Sequence, residues 1–328
     1  MGNNLVIASE ITKTEDNFNI VTFMLKFIEL YINHKKSCNV AKNTLINING
    51  ALERFLTFIS DEQEINAKLE LVNINKYFIT NYLNCLDDAR LSKETQKLHL
   101  TIIKNFLIFI ADSDIKNYGF LKLSLDNIKI KTQQREKESF TQNEQRLLLS
   151  HIIKLDATKS YLAQRNALLL KILYYTGVRV TELINIKWTD INEFDDVNAG
   201  LIYEILILGK GNKHRFTYIT YDKIINNLEF LREYSATSPT EYLLTSTHGN
   251  QYNRSSLLLL INNLLKKAGI NKTGIHIFRH TFARNLVNKN VNLSTIKDLL
   301  GHTNITITAQ FYAKSNENAK KDALKLII

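Results

Sequence analysis

A single proline, Pro239, stands in a chain of 328 residues that carries 11 glycines. Proline removes an amide donor and clashes with the preceding helical turn, and each interior glycine costs a helix about 1 kcal/mol relative to alanine. A chain so short of both breakers is free to run long, uninterrupted helices. The apolar residues of the first 130 positions use that freedom. From Asn43 onward, Leu45, Ile48, Leu52, Phe55, Leu56 and Ile59 recur at three- and four-residue steps, the signature of one buried helix face. From Ser92, Leu98, Ile102, Phe106, Phe109 and Ile110 repeat the pattern. Lys97, His99 and Lys104 are assigned to the other faces of that helix, toward solvent or a phosphate. Phe18 to Tyr31 and Ile74 to Leu86 carry similar stripes. Four helices in a compact bundle are the expectation.

The periodicity stops at Lys129 to Glu138, which reads KIKTQQREKE. This stretch suits a solvated linker and equally a basic strap across a polyanion, and the two readings are compatible. Thr141, Gln142, Asn143 and Glu144 then form a capping-box pattern, with Thr141 as N-cap and Glu144 reaching back. A domain boundary near residue 136 fits both signals. The second half is mixed. Leu162 to Tyr175 reads as an apolar helix ending at Gly177. Two β-rich segments, LIYEILIL and RFTYIT, flank the turn-rich tip Gly209 to Lys213. Further helices are expected over Ser255 to Lys267, Arg279 to Asn288 and Leu293 to Leu300. The chain closes on Ala319 to Ile328, too apolar to hang free in water.

Charge and cysteine content narrow the setting. Lys and Arg number 42 against 32 Asp and Glu, a net charge of +10 that makes a polyanion partner plausible, although an AT-rich codon bias would add lysine as well. Two cysteines, Cys38 and Cys85, cannot build a disulfide framework or a cysteine-rich metal site. Both fall in apolar helical patterns and are expected to be small buried hydrophobes in a reducing compartment. No apolar run approaches the roughly 18 residues that span a bilayer, and Met1 to Thr12 lacks the make-up of a signal peptide. A cytoplasmic location is expected, with no membrane partner.

Four segments of the second half concentrate unusual residues. The first, TGVRVTEL, places Arg179 just beyond a helix that Gly177 can cap. The second sets Lys210 between two glycines at the hairpin tip. The third, HIFRH, puts His276 and Arg279 on one helix face, with Phe278 toward the core. The fourth is LLGHTN, holding His302, followed by Tyr312. Taken singly, Arg179 reads as readily as a surface or helix-pairing arginine, Lys210 as a solvated turn lysine, and each histidine as structural.

In this order and spacing, TGVRVTEL, GKGNKHR, HIFRHTFA and LLGHTN with its following tyrosine resemble the tyrosine recombinases, also called phage-type integrases, and among them the Xer-like enzymes. The resemblance spans the whole catalytic half. The N-terminal helices, with NTL at Asn43 and SKETQKLHL at Ser92, are similar, less specifically, to the family's core-binding domain. A mainly α fold is implied: an N-terminal extension over 1–16, a helical, SAM-like core-binding domain over 17–128, a basic linker over 129–138, and a mostly helical catalytic domain over 139–328 with a small antiparallel β-sheet and a C-terminal tail helix.

The resemblance implies a site-specific recombinase. Tyr312 attacks the scissile phosphate and forms a 3′-phosphotyrosyl link, Lys210 protonates the leaving 5′ oxygen, His276 accepts the phenol proton, and His302 donates a hydrogen bond to the phosphate. Arg179 and Arg279 meet the charge that gathers on the non-bridging oxygens, and Glu182 orients a catalytic partner. His280 is expected to be structural. The chemistry is consistent with those residue types. A side-chain nucleophile conserves the phosphodiester energy as a new ester, and guanidinium forks match phosphate geometry without ever needing deprotonation. With such charges built in, no metal and no cofactor are expected. Lys97, Lys104, Lys129, Lys131 and Arg135 are candidates for DNA-backbone contact, which makes binding fall steeply with salt.

Tyr312 follows His302 by ten residues, one more than is usual in the family, with the extra residue assigned to Asn304 to Thr308. The implied partners are a double-stranded recombination site and a homo-tetramer on two duplexes exchanging strands through a Holliday junction. The tail packs either on its own domain or, as the resemblance implies, on a neighbouring protomer. A DNA translocase or a second recombinase is a further possible partner. Xer-like chromosome-dimer resolution is the first reading of the role. Integration or excision of a phage or mobile element is its alternative, and a non-catalytic DNA-binding descendant the third.

Overall fold

The computed structural model describes residues 19–123, 128–131, 138–209, 214–235 and 240–301. The chain divides into two compact units, residues 1–135 and 136–328.

In the first unit, α1 (Ile20–Ser37), α2 (Lys42–Ile65), α3 (Lys76–Asp88) and α4 (Lys93–Ser113) are followed by the short α5 (Ile115–Tyr118) and α6 (Phe120–Leu123). Polar side chains start three of the long helices. Asn19 accepts the Thr22 amide, Asn75 those of Tyr77 and Phe78, and Ser92 that of Thr95. Each satisfies donors that a helix start leaves without an intrahelical partner. The apolar faces meet in one core built from Phe23, Phe27 and Tyr31, Ile48, Leu52, Phe55 and Ile59, Phe78 and Tyr82, and Ile103, Phe106 and Ile110.

Three sequence expectations change here. Leu98 is exposed, and Leu45, Leu56 and Phe109 are half-buried, so the stripes are narrower than the apolar residues suggested. His99 is buried rather than solvent-facing, with the Tyr82 hydroxyl 2.9 Å from its Nδ1. Its position three and four residues before Ile102 and Ile103 places it within the buried face. Burial, with Arg54 nearby, lowers its pKa below the ordinary histidine value and favours the neutral ring. Cys38 and Cys85 are both exposed, the first just past the end of α1 and the second flanking the α3 stripe.

The segment read as a linker begins inside this unit. Ile128 is buried and Ile130 packs on the same core, while Lys129 and Lys131 alternate outward.

The second unit runs α7 (Gln142–Asp156), α8 (Tyr161–Thr176), α9 (Val180–Ile184), β1 (Ile191–Asp196), β2 (Gly200–Leu208), β3 (His214–Thr220), α10 (Tyr221–Ser235), α11 (Arg254–Lys267), α12 (His276–Asn288) and α13 (Leu293–Leu300). The expected capping box is formed at the start of α7: the Glu144 carboxylate accepts the Thr141 amide at 2.7 Å and Thr141 Oγ1 accepts the Glu144 amide at 3.2 Å. The strands make an antiparallel sheet in the order β1-β2-β3, with Tyr203 opposite both Glu193 and Ile219. Strand β1, INEFDD, is an addition to the sequence reading. It is polar and buries Ile191 alone, so it carries no alternating pattern. Helix α8 is buried on most sides, with Leu168, Leu169, Leu170, Ile172 and Leu173 all inaccessible, and the core around it takes Tyr203, Ile205 and Ile219 from the sheet. Ile296 and Leu300 of α13 pack separately on Ala283 and Val287 of α12.

Candidate active site

Two left-handed turns frame the site. Helix α8 ends at Gly177 (φ 62°) and α13 at Gly301 (φ 62°), both in a backbone conformation that favours glycine. A Cβ on Gly177 would lie 2.8 Å from Cδ1 of Phe282. Gly177→Ala therefore combines a left-handed backbone cost of about 1–2 kcal/mol with overpacking of about 1–3 kcal/mol. Thermal unfolding of the variant should show a midpoint about 5–10 °C lower; an unchanged midpoint would contradict this.

Arg179 follows the first turn in extended backbone, immediately before α9. Glu182, one turn later, reaches back so that Oε2 accepts the Arg179 amide at 2.7 Å and Oε1 accepts Arg179 Nη1 at 2.8 Å. Arg279 lies in the first turn of α12 and is buried. Its fork is held by two backbone carbonyls: Nη1 donates to Gly177 at 3.0 Å and Nη2 to Leu300 at 2.5 Å. Arg179 donates to the same helix end, to the carbonyls of Leu300 at 3.5 Å and Gly301 at 3.2 Å. The last carbonyls of a helix lack intrahelical donors and carry its partial negative charge. The end of α13 thus brings both arginines to one place.

A third arginine, absent from the sequence expectations, completes the cluster. Arg215 on β3 donates through Nη2 to Glu182 Oε2 at 2.9 Å and through Nε to the Leu299 carbonyl at 3.1 Å. Two guanidinium groups, of Arg179 and Arg215, pair with one carboxylate whose side chain is 4% exposed. Burial raises the Glu182 pKa, but the hydrogen bonds from Arg215 and Arg179 outweigh it and hold the carboxyl below the ordinary glutamate value. Burial, together with the charges of Arg179 and Arg215, pushes the Arg279 guanidinium down to about 9, still positive at neutral pH.

His276 opens α12 one turn before Arg279 with its side chain exposed, and Phe278 between them is fully buried. Nδ1 of His280 donates to the Glu138 carbonyl at 3.0 Å, in keeping with a structural role. Lys210, His302 and Tyr312 lie outside the described residues, as does Arg135. Lys97 is exposed on α4, whereas Lys104 is half-buried and donates to the Ile128 carbonyl at 2.9 Å. Among the described residues no cluster of three His, Cys, Asp or Glu side chains is placed to hold a metal ion, and no helix is long and apolar enough to cross a membrane.

The architecture is thus a helical first unit and a mainly helical second unit with a small sheet, the second holding the cluster of Arg179, Arg215 and Arg279. The phage integrase family model matches residues 138–319. Tyrosine recombinase XerC of Staphylococcus carnosus is 28% identical over 289 residues, covering 86% of this chain and 90% of the relative. The fold is shared with the XerH site-specific recombinase in a post-cleavage complex with palindromic difH substrate (TM-score 0.71, 20% identity, 98% of this chain and 92% of that one). It is shared too with a lambda integrase tetramer bound to a Holliday junction (TM-score 0.62, 18% identity, 93% and 80%). The chain belongs to the phage integrase family and is an enzyme of site-specific DNA recombination, similar over most of its length to Xer tyrosine recombinases.

Proposed function

We propose that this recombinase cuts and rejoins DNA at the arginine cluster, with Tyr312 as nucleophile. The observation that carries the reading is the convergence of Arg179 and Arg279 on the Leu300 carbonyl, which fixes two bidentate cations side by side where a phosphate can meet both. The Tyr312 phenol oxygen bonds to phosphorus as the bond to the 5′ oxygen breaks. The phenol proton passes to His276, and Lys210 gives a proton to the departing 5′ oxygen. His302 donates a hydrogen bond to the phosphate. Negative charge gathering on the non-bridging oxygens is met by preorganised guanidinium groups, each such donor contributing about 3–4 kcal/mol. Attack by a 5′-hydroxyl of the partner duplex reverses the step, with its proton returned to Lys210 and the phenol reprotonated from His276.

The assembly we propose is a homo-tetramer on two duplexes, passing through a Holliday junction, with the C-terminal tail of each protomer on its neighbour. The role is resolution of chromosome dimers, with a second recombinase or a DNA translocase as partner. Lys97, Lys104, Lys129, Lys131 and Arg135 are assigned to the DNA backbone, Lys104 while also holding Ile128. A plot of log affinity against log salt should slope steeply downward; a flat plot would remove these contacts.

A nicked suicide duplex tests the chemistry. Incubated with the protein, it should trap a covalent protein–DNA adduct mapping to Tyr312, and Tyr312→Phe should abolish it while retaining DNA binding. An adduct that survives Tyr312→Phe would assign the nucleophile elsewhere. Tight binding without any adduct would make the chain a binding protein. Footprinting the bound site near the replication terminus supports chromosome-dimer resolution, and a site at the end of a mobile element would replace it.

A further inference from the structure

Arg215 lies near the start of β3, far in sequence from both groups that it holds. Its side chain is 14% exposed, and its donors are engaged by Glu182 and Leu299. Glu182 divides its two oxygens: Oε1 serves the Arg179 guanidinium, while Oε2 takes the Arg179 amide and Arg215 Nη2. The carboxylate that aims Arg179 is therefore itself held from the other side by Arg215. The second contact, Nε to Leu299, fixes the helix end whose next carbonyls accept from Arg179 and Arg279. Close packing reinforces it, because a Cβ on Gly301 would lie 2.9 Å from Arg215 Cδ. Arg215 thus shares Glu182 with Arg179 and holds the residue just before the two carbonyls that Arg179 also uses.

We infer that Arg215 is a positioning residue for strand cleavage: without touching the phosphate, it sets the Arg179 guanidinium beside Arg279 through Glu182 and the end of α13. The inference rests on the reading of Arg179 as a phosphate-binding arginine. Without Arg215, buried Glu182 keeps its Arg179 contacts but loses the donor that opposes them, and the Leu299 carbonyl loses a partner. The Arg179 fork then drifts from the position it shares with Arg279. A displacement near 1 Å in such a site lowers a rate by about 100-fold.

The test compares Arg215→Ala, Arg215→Lys, Arg179→Ala and the Arg179→Ala/Arg215→Ala double variant of the full chain. Single-turnover cleavage of a nicked suicide duplex is followed, with DNA binding measured separately. Each variant is also given a duplex whose scissile phosphate is a neutral methylphosphonate. Arg215→Ala should bind DNA as the parent does and cleave about 100-fold more slowly. Arg215→Lys, able to meet Glu182 or Leu299 but not both, should fall between. The double variant should cleave no more slowly than Arg179→Ala, because residues acting as one unit are not additive. On the methylphosphonate the Arg215→Ala defect should shrink as the Arg179→Ala defect does, since there is less charge for the aimed guanidinium to meet. A purely structural arginine would instead show the same defect on both duplexes and add its factor to that of Arg179→Ala, and this overturns the inference. Parental cleavage by Arg215→Ala, with Arg179→Ala inactive, also overturns it and leaves the site reading intact. Parental cleavage by Arg179→Ala overturns the site reading itself. Should Arg215→Ala fail to fold, Arg215→Lys decides through the same two duplexes.

Discussion

Replacing Arg279 by lysine should lower covalent-adduct formation by about 10²–10³-fold, the loss expected for one preorganised donor at a reacting phosphate. The substitution preserves a positive charge on paper, yet the site uses shape. Both arms of the guanidinium are fixed, one on the Gly177 carbonyl and one on the Leu300 carbonyl. An ammonium on a flexible stem can serve one of these and leaves the other carbonyl buried without its donor, at about 1–3 kcal/mol. Burial also lowers a lysine pKa readily, whereas the arginine stays charged at neutral pH even with its own value pushed down to about 9. The measurements are the single-turnover rate on a suicide duplex and the thermal midpoint. A rate within threefold of the parent would remove Arg279 from the phosphate.

Removing the shared carboxylate should have the largest effect on stability. Glu182→Ala strands Arg215 and Arg179 against each other in a buried site, and breaking such a pair by deleting one partner costs about 3–5 kcal/mol. Glu182→Gln keeps the shape and removes the charge, and so isolates the electrostatic part. The folded pKa of Glu182 lies below the ordinary 4.5, so ionisation stabilises the folded chain at every pH above that value. That contribution is lost as pH falls through 4.5 toward the folded pKa. Glu182→Gln should therefore be the less stable protein at pH 7, with a gap that narrows below about pH 4.5. Denaturant melts at pH 7 and pH 4 read both numbers, and a gap independent of pH would mean that the carboxylate is not held ionised by the arginines.

Much of this site can be read from the sequence because its signals are local. Thr141 and Glu144 form their capping box within four residues, Gly177 closes α8 where the apolar run ends, and His276 and Arg279 share the first turn of one helix. Glu182 takes its partner three residues away. Arg215 is different. It reads as one more basic residue in a hairpin, because its partners are 33 and 84 positions distant and meet it through the packing of β3 against α13. Strand β1 escapes for another reason: it donates Ile191 to the core and otherwise leaves polar residues at the sheet edge, so no period marks it. The burial of His99 did have a signal, since the residue keeps step with Ile102, Ile103 and Phe106. A polar name obscured a position that spacing had placed inside.

The end of α13 has a consequence for how the enzyme waits. Three cations and one anion gather there, Arg179 and Arg215 on the carboxylate and Arg279 on neutral carbonyls, so the cluster keeps a formal surplus of two positive charges, with Arg279 and Arg215 largely buried and Arg179 36% exposed. Off DNA those charges repel one another, and solvent screens them least at the buried Arg279. A phosphodiester entering the pocket relieves a tension already built into the resting protein. The favourable energy of recognition is then partly stored by folding, before any DNA arrives.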